Sequence, residues 1–173
     1  MQNKFNKILI VGNGGSGKTT LSNKISKMLN IPILHLDNIY WINGWVHNEM
    51  EKFDSITSQF MQSQSWIIEG TPMRGFETRV SHSDTIIFLD FSCAACTFRI
   101  MKRSIKNIFS TATRHIDGPA KFFSLKALVW IWKFNNEKRK MILSVIARSN
   151  AKNLFHITTD RDLKKMLLTI SNQ

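Results

Sequence analysis

A chain of 173 residues with 43% apolar content is long enough to bury one core, and no run approaches the ~18 consecutive apolar residues that a membrane-crossing helix needs. Its two cysteines, Cys93 and Cys96, exclude a disulfide scaffold and supply at most half of a zinc site. Residues 1–98 hold eight Lys/Arg and eight Asp/Glu while residues 99–173 hold sixteen against four, so the whole formal charge of +12 lies in the second half, with +11 of it inside residues 99–152. A basic surface of this kind attracts phosphates, whether of nucleotides, nucleic acid or an anionic membrane, and composition does not choose among them.

The N-terminus, MQNKFNKILIVGN, carries positive charge ahead of a short apolar run, with glycine following at once. That run is too short for a signal peptide, so the chain is expected to stay in the cytoplasm without a membrane partner. KILIV (7–11) reads as a strand covered on both faces. After a glycine-rich stretch, residues 18–30 place Leu21, Ile25, Met28 and Leu29 at helical spacing, with Asn30 and Pro32 as stop signals. PILHLD (32–37) reads as a second strand, 48–64 as a helix built on Phe53, Ile56, Phe60 and Met61, WIIEG (66–70) as a third strand and TIIFLD (85–90) as a fourth. A helix over 92–109 carries Phe98, Met101 and Ile105 on one side and opens on FSCAAC, read either as two small buried residues or as a redox pair. A polar break over 110–121 precedes a long helical stretch, 121–149, with an interruption at Asn135-Asn136; a fifth strand (153–158) and a last helix (161–170) close the chain. Alternating strands and helices imply right-handed crossovers and a parallel sheet between helical layers.

The glycine-rich stretch, GNGGSGKT, fits G-x-x-x-x-G-K-[ST] through Gly12, Gly17, Lys18 and Thr19, between an apolar strand and an amphipathic helix. Gly12, Gly14, Gly15 and Gly17 let main-chain N–H groups converge on an anion, and the helix that starts at Lys18 adds the positive end of its dipole. Lys18 is a point charge for β- and γ-phosphates, Thr19 offers a hydroxyl to Mg²⁺, and Ser16 and Thr20 complete the expected nucleotide-binding set. The expected ligands are a nucleoside triphosphate, ATP, with Mg²⁺. Ligands of open α/β sheets sit beyond the carboxyl ends of the strands. That rim also holds Asp37, Glu69, Asp90 and the aromatic run Tyr40, Trp41 and Trp45, a candidate wall for an acceptor. Asp90 reads more readily as part of a helix cap than as a metal ligand, and His35 as lining rather than catalytic.

The stretches GNGGSGKTTL, IPILHLDNIYW, WIIEG, the run from Arg79 to Asp90, FRIMKR, KALVWIWKF and EKRKMI resemble, in order, the small P-loop kinases of the adenylate kinase type. More closely still, they resemble the bacterial DNA topology modulation proteins. The resemblance implies a three-layer α/β/α P-loop NTPase fold with a mostly parallel five-stranded sheet, adenylate/shikimate-kinase-like, as one domain over 1–173 with a helical lid near 99–140. It implies that Asp37 orients or deprotonates the acceptor hydroxyl, or holds metal-bound water, and that Glu69 holds Mg²⁺-bound water. Arg79, and more loosely Arg74, would bind substrate. Arg99 would pack on the purine, Arg103 reach the phosphates, and Arg114 and Arg139 close over the transferred group.

Two readings follow. In the first the chain transfers the γ-phosphate of ATP to a small acceptor such as a nucleotide or nucleoside. In the second it binds nucleic acid through its basic residues 99–152 and the aromatics Trp130, Trp132 and Phe134, with a regulatory nucleotide site. Trp130, Phe134, Met141 and Val145 also fall at near-helical spacing and read first as a buried stripe. A switch or hydrolase without an acceptor is a lesser third reading.

Overall fold

The computed structural model describes residues 4–42, 46–108, 129 and 131–172. In chain order the elements are β1 (Lys7–Gly12), α1 (Lys18–Leu29), β2 (Ile33–His35), α2 (Leu36–Tyr40), β3 (Trp41–Ile42), β4 (Val46–His47), α3 (Met50–Met61), β5 (Trp66–Glu69), α4 (Phe76–His82), β6 (Thr85–Leu89), α5 (Cys93–Ile108), a π turn (Phe134–Lys138), α6 (Arg139–Ala147), β7 (Asn153–Ile157) and α7 (Asp160–Ser171). Five strands form one sheet in the order β2-β5-β1-β6-β7, and each neighbouring pair is parallel. β3 and β4 form a separate antiparallel hairpin. The expected five-stranded parallel sheet between helices is therefore present.

The strands are apolar throughout because both faces of the sheet are covered. On β1, Ile8 and Ile10 face one layer, where they pack with Leu21 and Ile25 of α1, Cys96 and Ile100 of α5, and Met166 and Ile170 of α7. Leu9 and Val11 face the other, with Leu36 of α2, Phe53 of α3, Val80 of α4, and Ile142 and Val145 of α6. Each such side chain contributes roughly 1.5–3 kcal/mol of burial, so the central strand is pinned from both sides and the loop that leaves its carboxyl end has a fixed origin. Asn30 ends α1 in the left-handed conformation (φ 54°), as its expected stop role requires.

Three local readings change. The second strand stops at His35, and Leu36 and Asp37 start a short helix, because Leu36 turns into the core beside Phe53. α4 and the β3–β4 hairpin do not appear in the sequence reading at all. On α5 the side that carries Phe98, Met101 and Ile105 faces outward, with Phe98 66% exposed, while Cys96, Ile100 and Ser104 face the core. Small Cys96 allows the helix to approach the glycine loop more closely than a larger side chain would. The interruption expected at Asn135-Asn136 is the π turn, a rare geometry that places one extra residue in a helical turn. No helix among the described residues is long and apolar enough to cross a membrane.

Candidate nucleotide and metal site

The glycine loop leaves β1 at Gly12 and delivers the chain to α1. Gly17 caps that helix at φ 95°, no side chain caps it, and its first turn contains no acid. The leading N–H groups of α1 are therefore left to whatever occupies the space before them. That space is open: a Cβ built on Gly17 meets nothing within 4 Å. The loop itself is tightly held. Asn13, 3% exposed, accepts from Gly14 N–H at 2.7 Å and donates through Nδ2 to the Ile131 carbonyl at 2.9 Å. The Thr71 hydroxyl donates to the Gly12 carbonyl at 2.8 Å. Gly15, at φ 77°, sits so close to α5 that a Cβ there would lie 2.5 Å from the Cys96 carbonyl oxygen. Lys18 Nζ donates to the Asn13 carbonyl at 3.1 Å, which folds the charge back over the loop. Ser16 is buried, and Thr20 is exposed on α1.

Beside the loop, Glu69 ends β5 at 2% exposure. Its Oε1 accepts from the Thr19 hydroxyl at 2.9 Å and lies 2.9 Å from His35 Nδ1. The register brings this about, since His35 on β2 pairs directly with Glu69 on β5. Burial pushes the Glu69 carboxyl up, but the His35 hydrogen bond, the Lys18 charge and the Thr19 hydroxyl outweigh it and hold the group below its ordinary value. The hydrogen bond to Glu69 raises the His35 imidazole above its ordinary 6.5 against the opposing effect of burial. Both shifts arise from the same contact. Asp37, in the first turn of α2, is exposed by area; burial of its carboxyl nonetheless pushes it up, with the Lys18, His35 and Lys138 charges pulling the other way. Lys18, Glu69 and Asp37 therefore share one electrostatic neighbourhood, as the sequence reading expects of them.

Magnesium takes hard oxygen donors and commonly completes its shell with water and substrate phosphates, so a dedicated protein cage is unnecessary. The described residues contain no cluster of three or more acidic, His or Cys ligands. They do contain a fitting pair. Glu69 Oε2 is buried with no hydrogen-bond partner among the described residues, and the Thr19 hydroxyl spends its proton on Oε1, leaving its lone pairs for a cation.

The arginines sort differently from the expectation. Arg99 stays with the phosphate loop: it donates to the Ser16 carbonyl at 3.2 Å and to Asp160 at 2.8 Å, and its guanidinium lies 4.0 Å over the Phe91 ring. Arg103 follows one turn later on α5 and is exposed. Arg114, Trp45 and Trp130 lie outside the described residues, as does the side chain of Trp41, whose backbone opens β3 opposite His47. Arg79 is not placed to bind substrate. It is 1% exposed, donates to the carbonyls of Pro72 and Arg74, and has its guanidinium pulled down to about 10 by burial. It props the loop after β5 from beneath. Arg74 pairs on the surface with Asp54. Arg139 does not reach the phosphate loop; it makes a forked contact with Asp90, at 2.8 Å from each nitrogen, and His156 Nε2 lies 2.7 Å from the same carboxylate. Asp90 is thus engaged by Arg139 and His156, and Ser92 caps α5 in its place, accepting from Ala95 N–H at 3.2 Å.

Two contributors escape sequence reading: Asn13, an unconstrained position of the loop motif, and His35. The signal for His35 is its place at a strand end one register step across from Glu69.

No family model matches the chain, and no curated protein matches it. The expected likeness to DNA topology modulation proteins is not shown by these comparisons. The fold is that of the P-loop NTPases, in the arrangement of the shikimate kinases. Among solved structures, shikimate kinase from Acinetobacter baumannii in complex with shikimate is similar at TM-score 0.61 and 13% identity, over 99% of this chain and 96% of that one. Shikimate kinase from Bacteroides thetaiotaomicron follows at TM-score 0.57 and 13% identity, over 94% and 97%. A gluconokinase from Sinorhizobium meliloti 1021 is similar at TM-score 0.53 and 11% identity, over 99% and 94%.

Proposed function

We propose that this chain binds ATP with Mg²⁺ and transfers the γ-phosphate to the hydroxyl of a small acceptor. One observation carries the reading: the uncapped start of α1 opens onto free space at Gly17, with Lys18 on one side and the Thr19–Glu69 pair on the other. The kinase names of the three similar structures support the same reading. The loop amides and Lys18 would hold the phosphate chain, and Arg99 would brace the loop from α5. Thr19 and Glu69 would hold Mg²⁺, which when bound neutralises charge between the β- and γ-phosphates. Asp37, with its carboxyl raised toward neutrality, would accept or orient the acceptor proton. Arg103 and, by the sequence resemblance, Arg114 would neutralise charge on the group in flight. Trp41 would flank the acceptor.

The test is a panel of nucleosides, nucleotides, sugars and hydroxy acids scored for acceptor-stimulated ATP consumption. One member should raise turnover, and Lys18→Ala should abolish it. Turnover indifferent to every acceptor would refute the reading.

One observation keeps the nucleic-acid reading in view: Trp132 is 61% exposed next to exposed Lys133. Stacking plus charge binds single strands, with affinity that falls steeply with salt. On that reading oligonucleotide binding survives Lys18→Ala.

A further inference from the structure

We propose that His35 is a positioning residue for the cation: it fixes the rotation of the Glu69 carboxylate so that Oε2, and not Oε1, faces the metal. This rests on the kinase reading above and assigns His35 a part in it. Glu69 Oε1 receives two donors, Thr19 Oγ1 and His35 Nδ1, each at 2.9 Å. Oε2 receives none among the described residues, although the side chain is only 3% exposed. A buried carboxylate oxygen left unmatched is costly, so the arrangement calls for a positive partner at that atom. A carboxylate can flip end for end, and two donors on one oxygen suppress the flip.

The two donors come from different elements. Thr19 belongs to the first turn of α1, and His35 to an edge strand whose register places it opposite Glu69. Thr19 alone fixes the carboxylate loosely, because its hydroxyl rotates to suit whatever ligand its lone pairs receive. His35 sits on the side away from the phosphate loop and is held by the sheet. Its Nδ1 can donate whether the ring is neutral or charged, so the role does not depend on protonation. Groups that orient a metal's ligands in this way commonly change metal affinity by about 10–100-fold when removed.

The test is calorimetric titration of ATP into the full chain with and without Mg²⁺. Wild type should bind ATP more tightly with Mg²⁺. His35→Leu should keep the Mg²⁺-free affinity while losing about tenfold or more of the Mg²⁺-dependent tightening. His35→Asn, whose amide nitrogen stands where Nδ1 stands, should restore most of it. Retention of the wild-type Mg²⁺ ratio by a folded His35→Leu overturns the proposal, as does an Asn variant as impaired as the Leu one. If His35→Leu does not fold, the comparison runs between His35→Asn and His35→Gln, whose amide sits one carbon further out; equal Mg²⁺ ratios for these two would overturn it. Wild type that binds no ATP sinks the kinase reading itself, an outcome separate from one in which only the His35 variants disappoint.

Discussion

Gly15 and Gly17 stand two residues apart with opposite surroundings, and alanine at each should fail in a different way. At Gly15 a methyl group would lie 2.5 Å from the Cys96 carbonyl oxygen and 2.8 Å from Ile100 Cγ1, at φ 77°. Neither obstacle can swing aside, since one is helix backbone and the other is packed against the core. Overpacking of this type costs roughly 1–3 kcal/mol and the left-handed conformation about 1 more. The sum, about 2–4 kcal/mol, corresponds to a fall in Tm of roughly 5–15 °C for a chain of this size. At Gly17 the methyl group would meet nothing within 4 Å, so only backbone strain remains, about 1 kcal/mol and about 2–4 °C. That methyl group would, however, stand where phosphate oxygens are proposed to sit. Thermal melting and ATP calorimetry on both variants separate the effects: Gly15→Ala should lose stability, and Gly17→Ala should lose at least about tenfold in ATP affinity, or ~1.4 kcal/mol, with little loss of stability. Equal falls in Tm, or a Gly17→Ala chain that binds ATP like wild type, would refute this account of the loop.

Other outcomes follow from the same geometry. Arg139→Ala should lower stability by about 1–3 kcal/mol in chemical denaturation, because it strips the forked contact from a carboxylate only 6% exposed. Asp90→Ala combined with it should cost less than the two singles added, and simple additivity would remove the coupling. Asn13→Ala should reduce ATP affinity and speed hydrogen exchange in the segment after Ile131, since Asn13 Nδ2 donates to the Ile131 carbonyl; unchanged exchange there would count against it. At the start of α7, Thr159 and Asp162 form a reciprocal capping box, and Thr159→Ala should destabilise the chain by about 1 kcal/mol. Hydrogen bonding by the Thr159 side chain holds the Asp162 carboxyl below its ordinary 3.8. Its contribution is therefore complete above pH 3.8 and fades as pH falls through the lower folded value. The stability gap between wild type and Asp162→Asn should close over that range, and a gap independent of pH would contradict the assignment.

The parts of the molecule that read directly from sequence are those with a dense local pattern. KILIV and TIIFLD could only be strands covered on both faces, and GNGGSGKT between a strand and a helix could only be a loop with exposed amides. Lys18 and Thr19 come with that reading, while Glu69 is named from its place after a strand and from the resemblance. What stayed hidden depends on contacts between distant residues. Whether an arginine binds a ligand or a neighbouring carboxylate is decided by the third dimension: Arg79 lies under its own loop, and Arg139 lies on Asp90, 49 positions away. The helical spacing of Phe98, Met101 and Ile105 identified a face of α5 but not its direction, which depends on how closely Cys96 lets the helix approach. Trp130, Phe134, Met141 and Val145 read as one buried stripe, yet Phe134 and Val145 are buried while Met141 is 47% exposed.

The bond from Asn13 to the carbonyl of Ile131 joins positions 118 residues apart. Order of synthesis then matters. When the glycine loop leaves the ribosome, the residue that braces it has yet to be translated, and so has β6, which flanks β1. A nascent chain halted before Ile131 should hold nucleotide poorly even with its whole motif exposed, and capture should begin only once the segment that carries Ile131 has emerged. Bound nucleotide would then stabilise only molecules in which the glycine loop and the Ile131 segment have already met.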